Sequence, residues 1–144
     1  MRILSANKVD SITLDLDQVG GSIYPDFNLT VEVEDGTFKG VIVTWVAPDD
    51  LNGFVRQLEQ CERTRRGAAT LMGTGEDDFE LRVESTDSLG HFAVRYRLTT
   101  NNYVLEGGTP RTLYGGFNLD SELFANLVRD FAAFVSSLPS PKRL

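Results

Sequence analysis

The sequence predicts an α+β fold: antiparallel sheet of about seven to eight strands with two amphipathic helices, near residues 49–63 and 120–137. Three observations predict it. Short runs alternate apolar and polar side chains, the period of a half-buried strand. Two longer stretches repeat apolar residues at helical spacing. The alternating runs are joined by short turn signals, which suit hairpins rather than crossovers. At 144 residues the chain has the size of one domain, and 41% apolar residues are enough for one core, so a single domain over 1–144 is expected.

The first alternating run is Val9 to Asp17, with Ile12, Leu14 and Leu16 opposed to Thr13, Asp15 and Asp17. Gly20-Gly21 and Tyr24-Pro25-Asp26 break it. Phe27 to Glu34 alternates again, and Asp35-Gly36 then signals a hairpin of type I′. Phe38 to Ala47 is apolar on both faces around Val41 to Val43 and at Trp45-Val46, the pattern of an inner strand covered on both sides. Pro48-Asp49-Asp50 opens the first helix, since proline suits its first position and acids face the positive end of its dipole. Leu51, Phe54, Val55, Leu58 and Cys61 form its apolar stripe, and Gly67 is read as its stop.

Ala68 to Met72, Phe79 to Glu84, Phe92 to Thr99 and Thr112 to Asn118 read as a second set of strands. Asn101-Asn102 and Gly107-Gly108-Thr109-Pro110 punctuate the last connection. Asp120 is a good N-cap for the second helix, whose apolar face runs from Leu123 to Leu138. Residues 139–144 read as a frayed tail. The expected core includes Trp45, Phe54, Leu58, Leu81, Val94, Leu127 and Phe131.

Net charge narrows the function classes. A chain at −7 is a poor ligand for nucleic acid or an anionic membrane, because both need cationic groups to neutralise phosphate. A basic partner suits it, although moderate negative charge also serves solubility. Cys61 is the one cysteine, so no disulfide framework is expected. The first residues lack the apolar stretch of a signal peptide, and a cytoplasmic location is expected.

The motifs of chemistry are absent. One histidine and one cysteine do not make a zinc site, so neither a metal nor a cofactor is expected. Gly73-Thr74-Gly75 lacks the lysine of a phosphate loop, and Gly20-Gly21 and Gly115-Gly116 do not open helices. His91 follows a turn glycine and Cys61 lies on a buried stripe, so no catalytic residue is assigned and the chain reads as a non-enzyme. Glu80, Arg82 and Glu84 on one strand face Arg95 and Arg97 on the next as a charged lattice, either an ordinary solvated face or one that receives a partner.

From residue 40 to 138 the order of elements resembles the WapI-type immunity proteins, small bacterial proteins encoded beside polymorphic toxins. The resemblance rests on Phe79-Glu80-Leu81-Arg82-Val83, on Leu89-Gly90-His91-Phe92-Ala93-Val94, and on the glycine-containing strand that runs into Phe117-Asn118-Leu119-Asp120 and Leu123. It implies neutralisation of a toxin by binding, with no catalytic residues to carry over. A small-molecule-binding or self-associating module is the alternative, and an enzyme using carboxylates and arginines a third. For a basic toxin domain, the expected contacts are two acidic clusters at turns: Glu32, Glu34 and Asp35, and Glu76, Asp77 and Asp78.

Overall fold

The computed structural model describes residues 1–19, 26–75, 78–100 and 109–139, with the backbone alone at 17–19. The chain runs β1 (Arg2–Leu4), β2 (Ser11–Val19), β3 (Phe27–Asp35), β4 (Phe38–Val46), α1 (Pro48–Thr64), β5 (Ala68–Met72), β6 (Phe79–Ser85), β7 (Phe92–Thr100), β8 (Arg111–Leu119) and α2 (Ser121–Ser137). Strands β1 to β4 form one four-stranded sheet and β5 to β8 a second, each in sequence order. Every pairing is antiparallel. The expected α+β class, strand number and both helices are borne out, and each half is a meander followed by a helix. The breaks expected at Gly20-Gly21 and Tyr24-Pro25, the loop residues Asn101-Asn102 and Gly107-Gly108, and the tail beyond residue 139 lie outside the described residues.

Alternation decides which side chains turn inward. In the first sheet Ile12, Val33 and Gly40 share one row, and Leu14, Val31 and Ile42 the next. In the second, Val83, Val94 and Phe117 share a row, as do Leu81, Tyr96 and Gly115. These faces and the apolar stripes of both helices form one continuous core. Gly40 lets the sheets approach closely: a Cβ there would stand 2.7 Å from Leu113 Cδ2 and 3.3 Å from Leu98 Cδ1, so the Leu113 side chain would have to move.

The helices lie antiparallel. The start of α1 (Pro48, Leu51) shares a hollow with the end of α2 (Val135, Leu138). Between them the rings of Phe54 and Phe131 meet edge to face, 4.7 Å apart. Asp120 caps α2 as expected, its Oδ1 accepting from Leu123 N at 2.8 Å.

Four local expectations are corrected. Trp45 is half-buried, whereas Phe54, Leu58, Leu81, Val94, Leu127 and Phe131 are buried. Strand β4 is an edge strand, not an inner one. Its odd positions therefore face outward, leaving Val41 50% and Val43 60% exposed. The hairpin loop is Gly36-Thr37, because Asp35 already pairs with Phe38. Only Gly36 has positive φ there (61°), the requirement of a type II′ turn rather than type I′. Helix α1 turns left-handed first at Arg65, before Gly67. The Arg65 side chain supports that conformation: Nη2 donates to Gly90 O at 2.9 Å, and the guanidinium lies 5.6 and 5.4 Å from the ring centroids of Phe92 and Phe124.

Candidate partner-binding surface

Two outward sheet faces, and the turns beside them, carry polar and charged side chains close to apolar ones. On the first sheet, pairing places Glu32 beside Val41, Glu34 beside Lys39, Thr30 beside Val43 and Asn28 beside Trp45. Lys39 Nζ bridges Glu32 at 2.9 Å and Glu34 at 3.4 Å. That pair of carboxylates, Glu32 first, raises the lysine's pKa. The result is an apolar strip of Val41, Val43 and Trp45 with charges at one end. A fully apolar centre with a polar rim is the usual anatomy of a protein interface. Sequence reasoning passed over this strip. Its signal is a strand apolar at both even and odd positions, which reads equally as an inner strand and as an edge strand with an exposed outer face.

The acidic residues expected to contact a partner divide. Glu32 and Glu34 stand on the outer face with side chains 39% and 48% exposed. Asp35 turns to the opposite side, where its Oδ2 accepts a hydrogen bond from the buried Tyr96 hydroxyl. Asp78 turns inward as well: its Oδ2 accepts from Thr44 Oγ1 at 2.8 Å, tying β4 to the start of β6. Beside it, Thr74 N donates to Trp45 O at 2.7 Å. Glu76 and Asp77 lie outside the described residues.

On the second sheet the charged lattice is continuous. Glu84 receives Arg82 Nε at 2.7 Å on one oxygen and Arg95 Nε at 2.6 Å on the other. Glu80 lies 3.4 Å from Arg97 Nη2. Hydrogen bonds from Arg82 and then Arg95 hold the Glu84 carboxyl below the ordinary glutamate range. Its folded pKa is thus lower than its unfolded one, so its stabilisation is present above the unfolded pKa and is lost as pH falls through the folded value. Glu84→Gln is therefore expected to lower the melting temperature at pH 7 and to converge with the parent as pH drops below about 4. A gap that persists unchanged at pH 3 would assign the loss to packing instead.

The reactive side chains are dispersed. Cys61 is buried, and burial raises its thiol pKa. His91 Nδ1 lies 2.6 Å from Asp87 Oδ2 in the exposed turn before β7. That hydrogen bond lowers the Asp87 pKa. No group of metal-ligating side chains occurs among the described residues. No helix among them is long and apolar enough to cross a membrane.

The model of the WapI-like immunity protein family matches residues 10–139. The chain belongs to the WapI-like immunity protein family. The match extends the likeness seen from residue 40 onward back to the first long strand, so it takes in β2 to β8 and both helices. No curated protein matches. No solved structure matches either. Membership of this family implies a cognate toxin protein as the partner.

Proposed function

We propose that this WapI-like chain neutralises its cognate toxin by direct binding rather than by catalysis, in the cytoplasm of the cell that makes both. The observation that carries the reading is the family match from β2 to the end of α2. Two further observations support it. Neither the cysteine nor the histidine sits as a nucleophile beside a base: Cys61 is in the core, and His91 pairs with Asp87 at the surface. The chain carries −7, which favours a basic toxin domain and speeds its approach.

Glu32 and Glu34 are the proposed steering charges, together with Glu76 and Asp77 of the second cluster. Asp35 and Asp78 of the same clusters also hold intramolecular hydrogen bonds, so the test leaves them unchanged. The test uses the toxin domain encoded beside this chain. The wild-type chain should bind it and protect cells that express it. Glu32→Lys with Glu34→Lys should slow association by about tenfold at low salt, with little change in dissociation. The difference should shrink toward 0.1 M salt, where screening acts over roughly 10 Å. His91→Ala should bind and protect as the parent does. An association rate that ignores the double reversal at low salt would remove these two acids from the account. Loss of protection by a folded His91→Ala chain would revive a catalytic reading.

A further inference from the structure

The outward face of β6, β7 and β8 departs from the charge of the rest of the molecule. The chain is strongly acidic, yet this face carries Arg82, Arg95 and Arg97 against Glu80 and Glu84. The register puts Arg82 directly opposite Arg95. Like charges in that position disfavour the pairing. Glu84 relieves the repulsion by accepting one Nε–H from each. A guanidinium has five donors; this shared carboxylate takes one from each arginine, and Arg82 gives one more, from Nη1, to Thr70 Oγ1 at 3.3 Å. Both arginines remain reachable, with side chains 43% and 52% exposed.

These residues surround a hollow of about 110 Å³, lined by Glu80, Arg82, Arg95, Tyr96, Arg97 and Tyr114. Strand β8 contributes two residues beside it. The residue paired with Arg95 is Gly116, where a Cβ would run into the backbone of Val94 and Arg95. The residue paired with Arg97 is Tyr114, which stands 74% exposed beside the hollow. Arginine and tyrosine are among the residue types enriched where binding energy concentrates, and a planar guanidinium matches a carboxylate in two-point geometry. Excess positive charge, an open hollow and an exposed ring together favour one kind of guest.

We propose that this hollow is the part of the toxin-binding surface that receives an acidic side chain of the toxin, its carboxylate seated between Arg82 and Arg95 and its carbon chain against Tyr114. The inference rests on the immunity reading above and adds to it the chemistry of one contact. The two charge effects act at different ranges. The net negative field draws a basic domain from a distance, while the hollow selects an acidic group on that domain at contact.

The test measures dissociation of the toxin domain encoded beside this chain from the parent and from variants whose folding is checked by circular dichroism. Arg82→Gln with Arg95→Gln should raise the dissociation rate about thirtyfold or more, as truncation of a desolvated charge pair does. Arg95→Lys, which keeps the charge but not the fork, should fall between. Tyr114→Ala leaves the lattice in place and should raise the rate by roughly tenfold, which keeps the proposal open to refutation if the glutamine variant misfolds. Neutralising one Asp or Glu of the toxin should abolish the difference between the parent and the arginine variant. Parent-like dissociation in folded Tyr114→Ala and arginine variants overturns the inference while leaving the immunity reading intact. Tight binding of a single-stranded RNA of about 20 nucleotides at low salt, lost in the arginine variant, would overturn it too, because the guest would then be phosphate. A parent chain that does not bind the toxin domain defeats the immunity reading itself, and this contact with it.

Discussion

Phe131→Ala should destabilise the chain by about 3–5 kcal/mol, read as a fall in melting temperature of roughly 10 °C or more. Phe131 is fully buried and sits where the two halves meet. Its ring contacts Phe54 of α1 edge to face at 4.7 Å and lies 6.0 Å from Phe134 on its own helix. Truncation removes the apolar transfer contribution and leaves a space that two helices and two sheets cannot collapse to fill. Asp130→Ala, one residue away and exposed, should change stability by less than about 0.5 kcal/mol. Thermal melts of the three chains followed by circular dichroism settle the point. A fall of only a few degrees for Phe131→Ala would mean that α2 is held by contacts other than this ring.

Asp35→Ala should cost about 1–3 kcal/mol, and Asp35→Asn clearly less. Tyr96 is 2% exposed, and its hydroxyl donates to Asp35 across 61 positions of sequence. Burial, and then the hydrogen bond to Asp35, drive the phenol's pKa far up, so it stays a donor over any working pH. Alanine at 35 strands that donor inside the protein, whereas asparagine keeps an acceptor in place. Tyr96→Phe should be milder than Asp35→Ala, because the half-exposed carboxylate regains water. Urea unfolding of the three variants distinguishes these cases. Equal losses in Asp35→Ala and Asp35→Asn would show that the hydrogen bond contributes little. The same series bears on function: a folded Asp35→Asn chain that binds the toxin normally would mark this acid as a joint between the sheets, unlike its neighbours Glu32 and Glu34.

What was legible in the sequence followed from periodicity. A strand with one buried face must alternate, and Phe27 to Asp35 and Phe79 to Ser85 do so without a break, so their extents were readable to within a residue or two. The helices were equally plain, because their apolar stripes are long and their starts carry Pro48 and Asp120. Strand β1 was not legible. It has three residues, and Ile3 is the single buried side chain among them, too little to establish a period. The lattice of Glu80, Arg82, Glu84, Arg95 and Arg97 could be read as facing strands, but the shared use of Glu84 by two arginines needed the register.

By itself, then, the sequence determined the class of fold, the order of its elements, the inward or outward sense of most side chains and the likeness to an immunity family. These are properties of local period, and local period survives without knowing what lies alongside. Tertiary structure alone decided that β4 is an edge strand whose Val41 and Val43 are exposed, that Arg65 turns left-handed to lie against Phe92 and Phe124, and that Asp35 and Asp78 serve Tyr96 and Thr44. The reason is common to all of them. An apolar strand residue does not encode which neighbour covers it, and an acid at a turn does not encode whether a donor from a distant strand arrives within reach. Those outcomes depend on how two sheets and two helices share one core, with contacts spanning 34 and 61 residues that no local pattern specifies.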